Sequence, residues 1–216
     1  MIARPKLDAA AAVLALCAFS ALDAAMSPAQ TDVIATYGFS VVQYGWTSAV
    51  LFLAVCVGTP LVARCGDVFD KRAVLALSMA VACAGLFVSA AATTPLAYTL
   101  GQALATAWVG STTVCQALMA EATTHDDQAT GQGFIQGATG AFATAGTVGA
   151  GYVIGTLGTR SLFWLPPLII LPCVLFLARG LARPRASRAS RAPRRGLAHA
   201  LDAKGGALLA LSLIHI

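Results

Sequence analysis

Long apolar stretches separated by short polar breaks form the dominant pattern of this chain. Six of them are long enough to cross a membrane as helices, and they cover residues 9–28, 41–63, 73–92, 97–121, 132–157 and 162–181. An α-helix needs roughly 20 apolar residues to span the hydrocarbon core, and lipid requires its backbone groups to be satisfied internally. The pattern therefore predicts an all-α, polytopic membrane protein with six transmembrane helices.

The sequence changes in character after the sixth span. Residues 182–204 are basic and of low complexity, as in a linker without a packed core, and another apolar stretch runs from Gly205 to the last residue. We expect a six-helix transmembrane unit at 1–181, a cytoplasmic linker at 182–204 and the start of a truncated seventh helix at 205–216. Residues 212–216 resemble translated sequencing-adapter read-through and are expected not to be native.

Composition and charge agree with this interpretation and predict an orientation. The chain is 58% hydrophobic and 11% charged, whereas a soluble domain carries about 25% charged residues. Basic residues cluster at Arg64, Lys71, Arg72 and the linker, which places the N-terminus in the cytoplasm and leaves Arg160 outside. We expect the linker to meet anionic lipid headgroups rather than nucleic acid.

Cysteine and histidine are too dispersed to indicate a special site. The six cysteines and three histidines form no close group, so neither a disulfide framework nor a metal site is expected. We predict no cofactor and no enzymatic activity.

A charged turn joins the second and third spans at residues 63–72, and it carries Asp67, Lys71 and Arg72. With six spans and a basic linker, this turn resembles the first half of a major facilitator superfamily transporter, where the motif is Gly-x-x-x-Asp-Arg-x-Gly-Arg-Arg. Asp67 takes the acidic position, and Lys71 and Arg72 take the last two basic positions. Three residues depart from the motif: Ala63, Val68 and Asp70.

The resemblance implies that the turn is a cytoplasmic latch. In the superfamily its acid is drawn to a helix N-terminus, as helix dipoles favour, and its bases pair with acids across the interface between two halves. The plainer alternative is that Lys71 and Arg72 only anchor the third helix. The resemblance also implies that residues 1–181 are an N-terminal half-bundle, that a C-terminal half of the same protein is its partner, and that substrate binds between them. Twelve and fourteen spans both stay open for the full protein.

Small residues recur every three or four positions in the fifth span, which lays a stripe along one helix face. Residues 146–151 resemble the Gly-Pro-x-x-Gly-Gly motif of exporters in the superfamily, with Thr147 in the place of proline. The plain alternative is helix packing. The residues assigned to this motif are Gly137, Gly140, Gly146, Thr147, Gly151 and Gly155.

Asp23 lies inside the otherwise uncharged first span. An acid in a membrane helix costs at least about 2.5 kcal/mol, so it usually faces a cavity and has a function. Its local sequence is similar to that of fourteen-span drug:proton antiporters, which makes Asp23 a proton-coupling candidate. The alternative is that Asp23 lies near the outer interface and is simply hydrated there.

The fourth span offers Gln102 and Gln116 as polar cavity residues. The drug-exporter branch usually carries an arginine in this region, and Gln102 cannot replace a permanent charge. This departure argues against simple proton antiport.

We predict a multi-pass transporter of the cytoplasmic membrane that moves a small molecule by alternating access. The leading hypothesis is proton-coupled efflux of amphipathic compounds, as in multidrug resistance antiporters. An uptake or facilitative carrier of the same superfamily is the first alternative, and a membrane scaffold or receptor without transport activity is the second.

Overall fold

The structure is a computed structural model that describes residues 4–123 and 127–181, so the predicted linker and seventh helix lie outside the described residues. Within these ranges the chain forms helices and no strand. The helices are α1 Arg4–Tyr37, α2 Val41–Val68, α3 Lys71–Ala91, α4 Pro95–Ala105, α5 Ala107–Ala122, α6 Gln128–Leu157 and α7 Ser161–Leu181. The predicted all-α fold is confirmed.

Three of the predicted spans differ most from the helices observed. The second helix continues past residue 63 to Val68, so the predicted turn at 63–72 is shorter than expected: Asp67 lies in the last turn of α2, and only residues 69 and 70 separate α2 from α3. The first helix continues past Pro28 to Tyr37, because Ala29, Val33 and Tyr37 lie four residues apart and are buried on one face. The predicted fourth span consists of two consecutive helices, α4 and α5, which meet at Thr106.

Five segments of the described chain are long and apolar enough to cross a membrane: Leu7–Tyr37, Val41–Val68, Lys71–Ala91, Pro95–Ala122 and Ser161–Arg179. Helix α6 is 30 residues long, which corresponds to about 45 Å and is ample for a span. Helix α6, which contains the predicted fifth span, is not one of these five segments. Its sequence is rich in glycine and threonine.

Polar caps explain the short turns between the helices. Ser40 and Gln43 form a capping box at the start of α2, and Asp70 accepts hydrogen bonds from the backbone N–H groups of Arg72 and Ala73 at the start of α3. Thr94 caps α4 through the N–H of Ala97. Each cap accepts hydrogen bonds from backbone N–H groups of the first helical turn, which have no partner within the helix.

Side-chain contacts distinguish two ends of the helix bundle. Ion pairs join α1, α3 and α5 at one end, which we call the charged end: Asp8, Lys71, Arg72 and Glu121. Aromatic rings in tilted and edge-to-face contact gather at the other, which we call the aromatic end: Tyr37, Phe39, Tyr98 and Phe163. Arg160 also lies there, 5.9 Å from the Tyr37 ring centroid, and donates to the Ala92 carbonyl.

Candidate functional site

A cavity of about 290 Å³ lies between α1, α2, α4 and α5, with Leu86 of α3 in its wall. Most of its lining is apolar, and Phe19 and Trp108 form part of the wall as stacked rings with centroids 5.4 Å apart. The polar side chains in the lining come from α1, α2, α4 and the α4–α5 junction: Asp23, Tyr44, Thr47, Ser48, Tyr98, Gln102 and Thr106. An apolar pocket with a few convergent polar groups is the usual form of a small-molecule site.

Asp23 is the acid among the described residues of this lining, which include no lysine, arginine or histidine. Its side chain is exposed and has no hydrogen bond or ion pair with other described residues. Asp23 follows Phe19 by four residues, so both lie on the same face of α1. A carboxylate in this position disfavours an anionic ligand.

Gln102 lies in the same cavity as Asp23. Its amide donates to the Ser89 hydroxyl at 3.1 Å, and that hydroxyl donates to the Gly85 carbonyl at 3.0 Å. The Ser89 carbonyl accepts a hydrogen bond from the Tyr37 hydroxyl at 2.9 Å. The side chain of Gln102 is thus held by a neutral network that connects the cavity to the aromatic end.

Gln116, the other predicted cavity residue, is not brought into this cavity. It lies on α5, and its backbone carbonyl accepts a hydrogen bond from the Gln132 amide of α6 at 3.1 Å. The structure therefore places Gln102 and Gln116 in different surroundings.

The small-residue motif predicted for the fifth span lies on α6, and its members differ in their surroundings. A Cβ on Gly146 would collide with the Ala21 backbone of α1, so this glycine permits close helix contact. Thr147 donates to the Ala24 carbonyl at 3.4 Å and to the Ala143 carbonyl at 3.1 Å. The other glycines of the motif border open space: Gly137, Gly140, Gly151 and Gly155.

Other close glycine contacts occur at helix crossings that the sequence interpretation missed. A Cβ on Gly85 would lie 2.5 Å from the Gly101 carbonyl oxygen, where α3 crosses α4. A Cβ on Gly110 would lie 2.5 Å from the Val62 Cβ, where α5 crosses α2. The spacing of Gly85 from Ser89 and of Gly101 from Ala105 is a small-xxx-small signal that could have indicated the first crossing.

The three residues predicted in the charged turn lie at the charged end, Asp67 in the last turn of α2 and Lys71 and Arg72 in the first turn of α3. Asp67 is exposed and makes no hydrogen bond or ion pair with other described residues. The Lys71 Nζ lies 2.6 Å from Glu121 Oε1 in a partly exposed pair. Arg72 is buried, and its Nη2 lies 2.6 Å from Oδ2 of Asp8 on α1. Both bases therefore have acidic partners within the described helix bundle.

Asp8 is a residue that the sequence interpretation missed. It lies just before the first apolar stretch, where an acid resembles an ordinary interfacial charge. Its partner could be recognised only once α1 and α3 were known to be neighbours.

The fold defines a class of protein, a membrane protein built from several apolar helices. The sequence model of the Major Facilitator Superfamily matches residues 10–214. The chain belongs to this superfamily, whose members are membrane transporters rather than enzymes. No curated protein matches the chain.

Proposed function

We propose that the protein exports an amphipathic compound across the cytoplasmic membrane in exchange for protons. The observation that carries this proposal is the placement of Asp23, whose carboxylate is exposed in a cavity with aromatic walls and no basic side chain. Such a group can hold either a proton or a substrate cation, and competition between the two would couple their movements. In this proposal the charged end and the N-terminus face the cytoplasm.

The cavity also supports a substrate with both apolar and polar parts. The Phe19 and Trp108 rings offer a flat apolar wall, and Gln102 and Thr47 supply hydrogen-bonding groups in the same lining. Because the lining carries an acid without a base, cationic or neutral compounds should be preferred over anions. The substrate would complete its site against the C-terminal half.

A facilitative carrier remains the second candidate, and one observation favours it. Gln102 occupies the region where the drug-exporter branch has arginine, and its amide hydrogen bonds to Ser89 without any charge. A cavity with one acid and no compensating base could bind substrate without proton exchange.

The test is uphill transport in proteoliposomes containing the full-length transporter that carries this half. Asp23→Asn should abolish accumulation driven by a pH gradient and still allow substrate binding. Asp32→Asn is the matched control, because Asp32 is an exposed acid on the same helix that does not line the cavity. Gradient-driven transport that survives Asp23→Asn would reject proton coupling through Asp23 and support the carrier.

A further inference from the structure

Arg72 occupies an unfavourable place for a cation. It lies in the first turn of α3, where the helix dipole presents its positive end. The nearest acid in sequence, Asp70, directs Oδ1 to the backbone N–H groups of Arg72 and Ala73. The Arg72 side chain turns into the bundle instead, and its Nη2 reaches Asp8 Oδ2 at 2.6 Å.

The neighbouring ion pair provides a comparison. The Lys71–Glu121 pair has the same N···O distance, but its side chains are 29% and 55% exposed, whereas those of Arg72 and Asp8 are 8% and 1% exposed. Water screens the first pair, so either partner can be lost at little cost. Loss of one partner from the second pair leaves a buried charge without compensation.

A buried pair of this kind gains little net stability over apolar side chains of similar volume, because desolvation offsets the attraction. Both Asp8 carboxylate oxygens and Arg72 Nε also lack hydrogen bonds within the described structure, although Oδ2 lies at ion-pair distance. The pair is therefore better explained by the position that it gives to Arg72 than by a contribution to the free energy of unfolding. It specifies where the Arg72 cation lies.

Asp67 and Asp70 are both within five residues of Arg72 in the turn, and both are exposed. An Arg72 side chain released from Asp8 would be drawn to these acids, since its charge would then have no other partner in the first turn. Pairing with Asp67 would neutralise the acid that the turn otherwise presents without a partner among the described residues.

We propose that Asp8 is a positioning residue for the charged turn: it holds Arg72 inside the half-bundle and so keeps the Asp67 carboxylate available for contacts outside it. Arg72 is then an internal counter-charge and not a base that pairs with the opposite half. This proposal depends on the proposed transport function only in the second experiment below, which measures transport.

The first experiment measures coupling between the two residues by thermal unfolding of the purified chain in detergent. Asp8→Asn and Arg72→Gln should each lower Tm by roughly 10 °C, and the double variant should recover most of that loss. Lys71→Gln and Glu121→Gln are the matched control pair, with shifts of no more than about 2 °C. Additive losses in the Asp8→Asn, Arg72→Gln double variant would overturn the proposal.

The second experiment separates positioning from stability, using the full-length transporter in proteoliposomes below the unfolding range. Asp8→Asn should reduce the initial transport rate about tenfold, and adding Arg72→Gln should restore it to within about twofold. Asp8→Glu should retain transport, because it keeps the counter-charge. If the double variant transports as slowly as Asp8→Asn, Arg72 does not act by capturing Asp67. This conclusion does not depend on proton coupling through Asp23.

Discussion

The Gln102 amide reaches the Ser89 hydroxyl at 3.1 Å because Gly101 lies against the Ser89 backbone. A Cβ at position 101 would lie 2.5 Å from the Ser89 Oγ and 2.7 Å from its backbone nitrogen. The hydrogen bond that fixes one polar side of the cavity thus depends on the close crossing of α3 and α4.

Gly101→Ala should therefore destabilise the bundle and disturb the cavity. Overpacking against a backbone costs about 1–3 kcal/mol, and the displaced α4 would also lose the Gln102–Ser89 contact. Thermal or denaturant unfolding of the purified chain in detergent measures the loss.

Gly137→Ala is the matched control for this prediction, since a Cβ at that position meets no atom of the described chain within 4 Å. Alanine is the better helix former by about 1 kcal/mol, so this variant should be as stable as the parent or slightly more stable. Equal losses for Gly101→Ala and Gly137→Ala would contradict the packing described here.

Asp67→Asn should slow transport by the full-length protein without lowering its stability. Asp67 is exposed and has no partner among the described residues, so its charge is not needed to hold this half-bundle together. Initial rates in proteoliposomes and Tm in detergent give the two readouts.

Asp70→Ala is the informative comparison within the same turn. Asp70 caps α3 through two backbone N–H groups, and loss of such a cap costs about 0.5–2 kcal/mol. We expect a lower Tm for this variant, in contrast to Asp67→Asn. Unchanged transport by Asp67→Asn would favour the simpler role of the turn as an anchor.

The orientation can be tested at the two ends of α2 with cysteines introduced into a background without native cysteine. Phe69→Cys lies at the charged end and Val41→Cys at the aromatic end, and the native side chains are 47% and 76% exposed. An impermeant maleimide added to intact cells should label position 41 and not position 69. The reverse pattern would overturn the cytoplasmic placement of the charged end.

The helical spans could be predicted from sequence because membrane hydropathy is a local property. The break at Thr106 could not, since this residue keeps right-handed helical angles of φ −60° and ψ −13° and neither glycine nor proline marks it. Before the break, Gly101 of α4 crosses Gly85 of α3. After it, Gly110 of α5 crosses Val62 of α2, and these contacts depend on the assembled bundle.

Only some residues of the candidate cavity could be selected from sequence, because the others depend on how the helices cross. An acid in an apolar span is conspicuous, and so Asp23 could be selected from sequence. Gly137 and Gly146 follow the same spacing rule, yet one borders open space and the other touches α1. Similarly, the partner of Arg72 is a residue on α1 that is remote in sequence. Which small or charged residues meet is decided by helix crossings, which periodicity does not specify.

The last prediction concerns ligand contact with the aromatic wall. Trp108 lines the cavity, whereas Trp46 and Trp164 do not line it and are 71% and 39% exposed. A brominated amphipathic amine, which quenches tryptophan fluorescence at contact, should produce a saturable component from Trp108. Its partitioning into detergent should add a component from Trp46 and Trp164 that rises without saturation.

Trp108→Phe separates these contributions because phenylalanine keeps a ring for stacking on Phe19 but emits negligibly under tryptophan excitation. The saturable component should disappear in this variant and persist when Trp46 and Trp164 are both replaced by phenylalanine. Asp23→Asn should weaken the saturable component for the charged amine more than for a neutral analogue, because only the amine loses an ionic contact. Saturable quenching that persists in Trp108→Phe would show that the compound binds away from the cavity between α1, α2, α4 and α5.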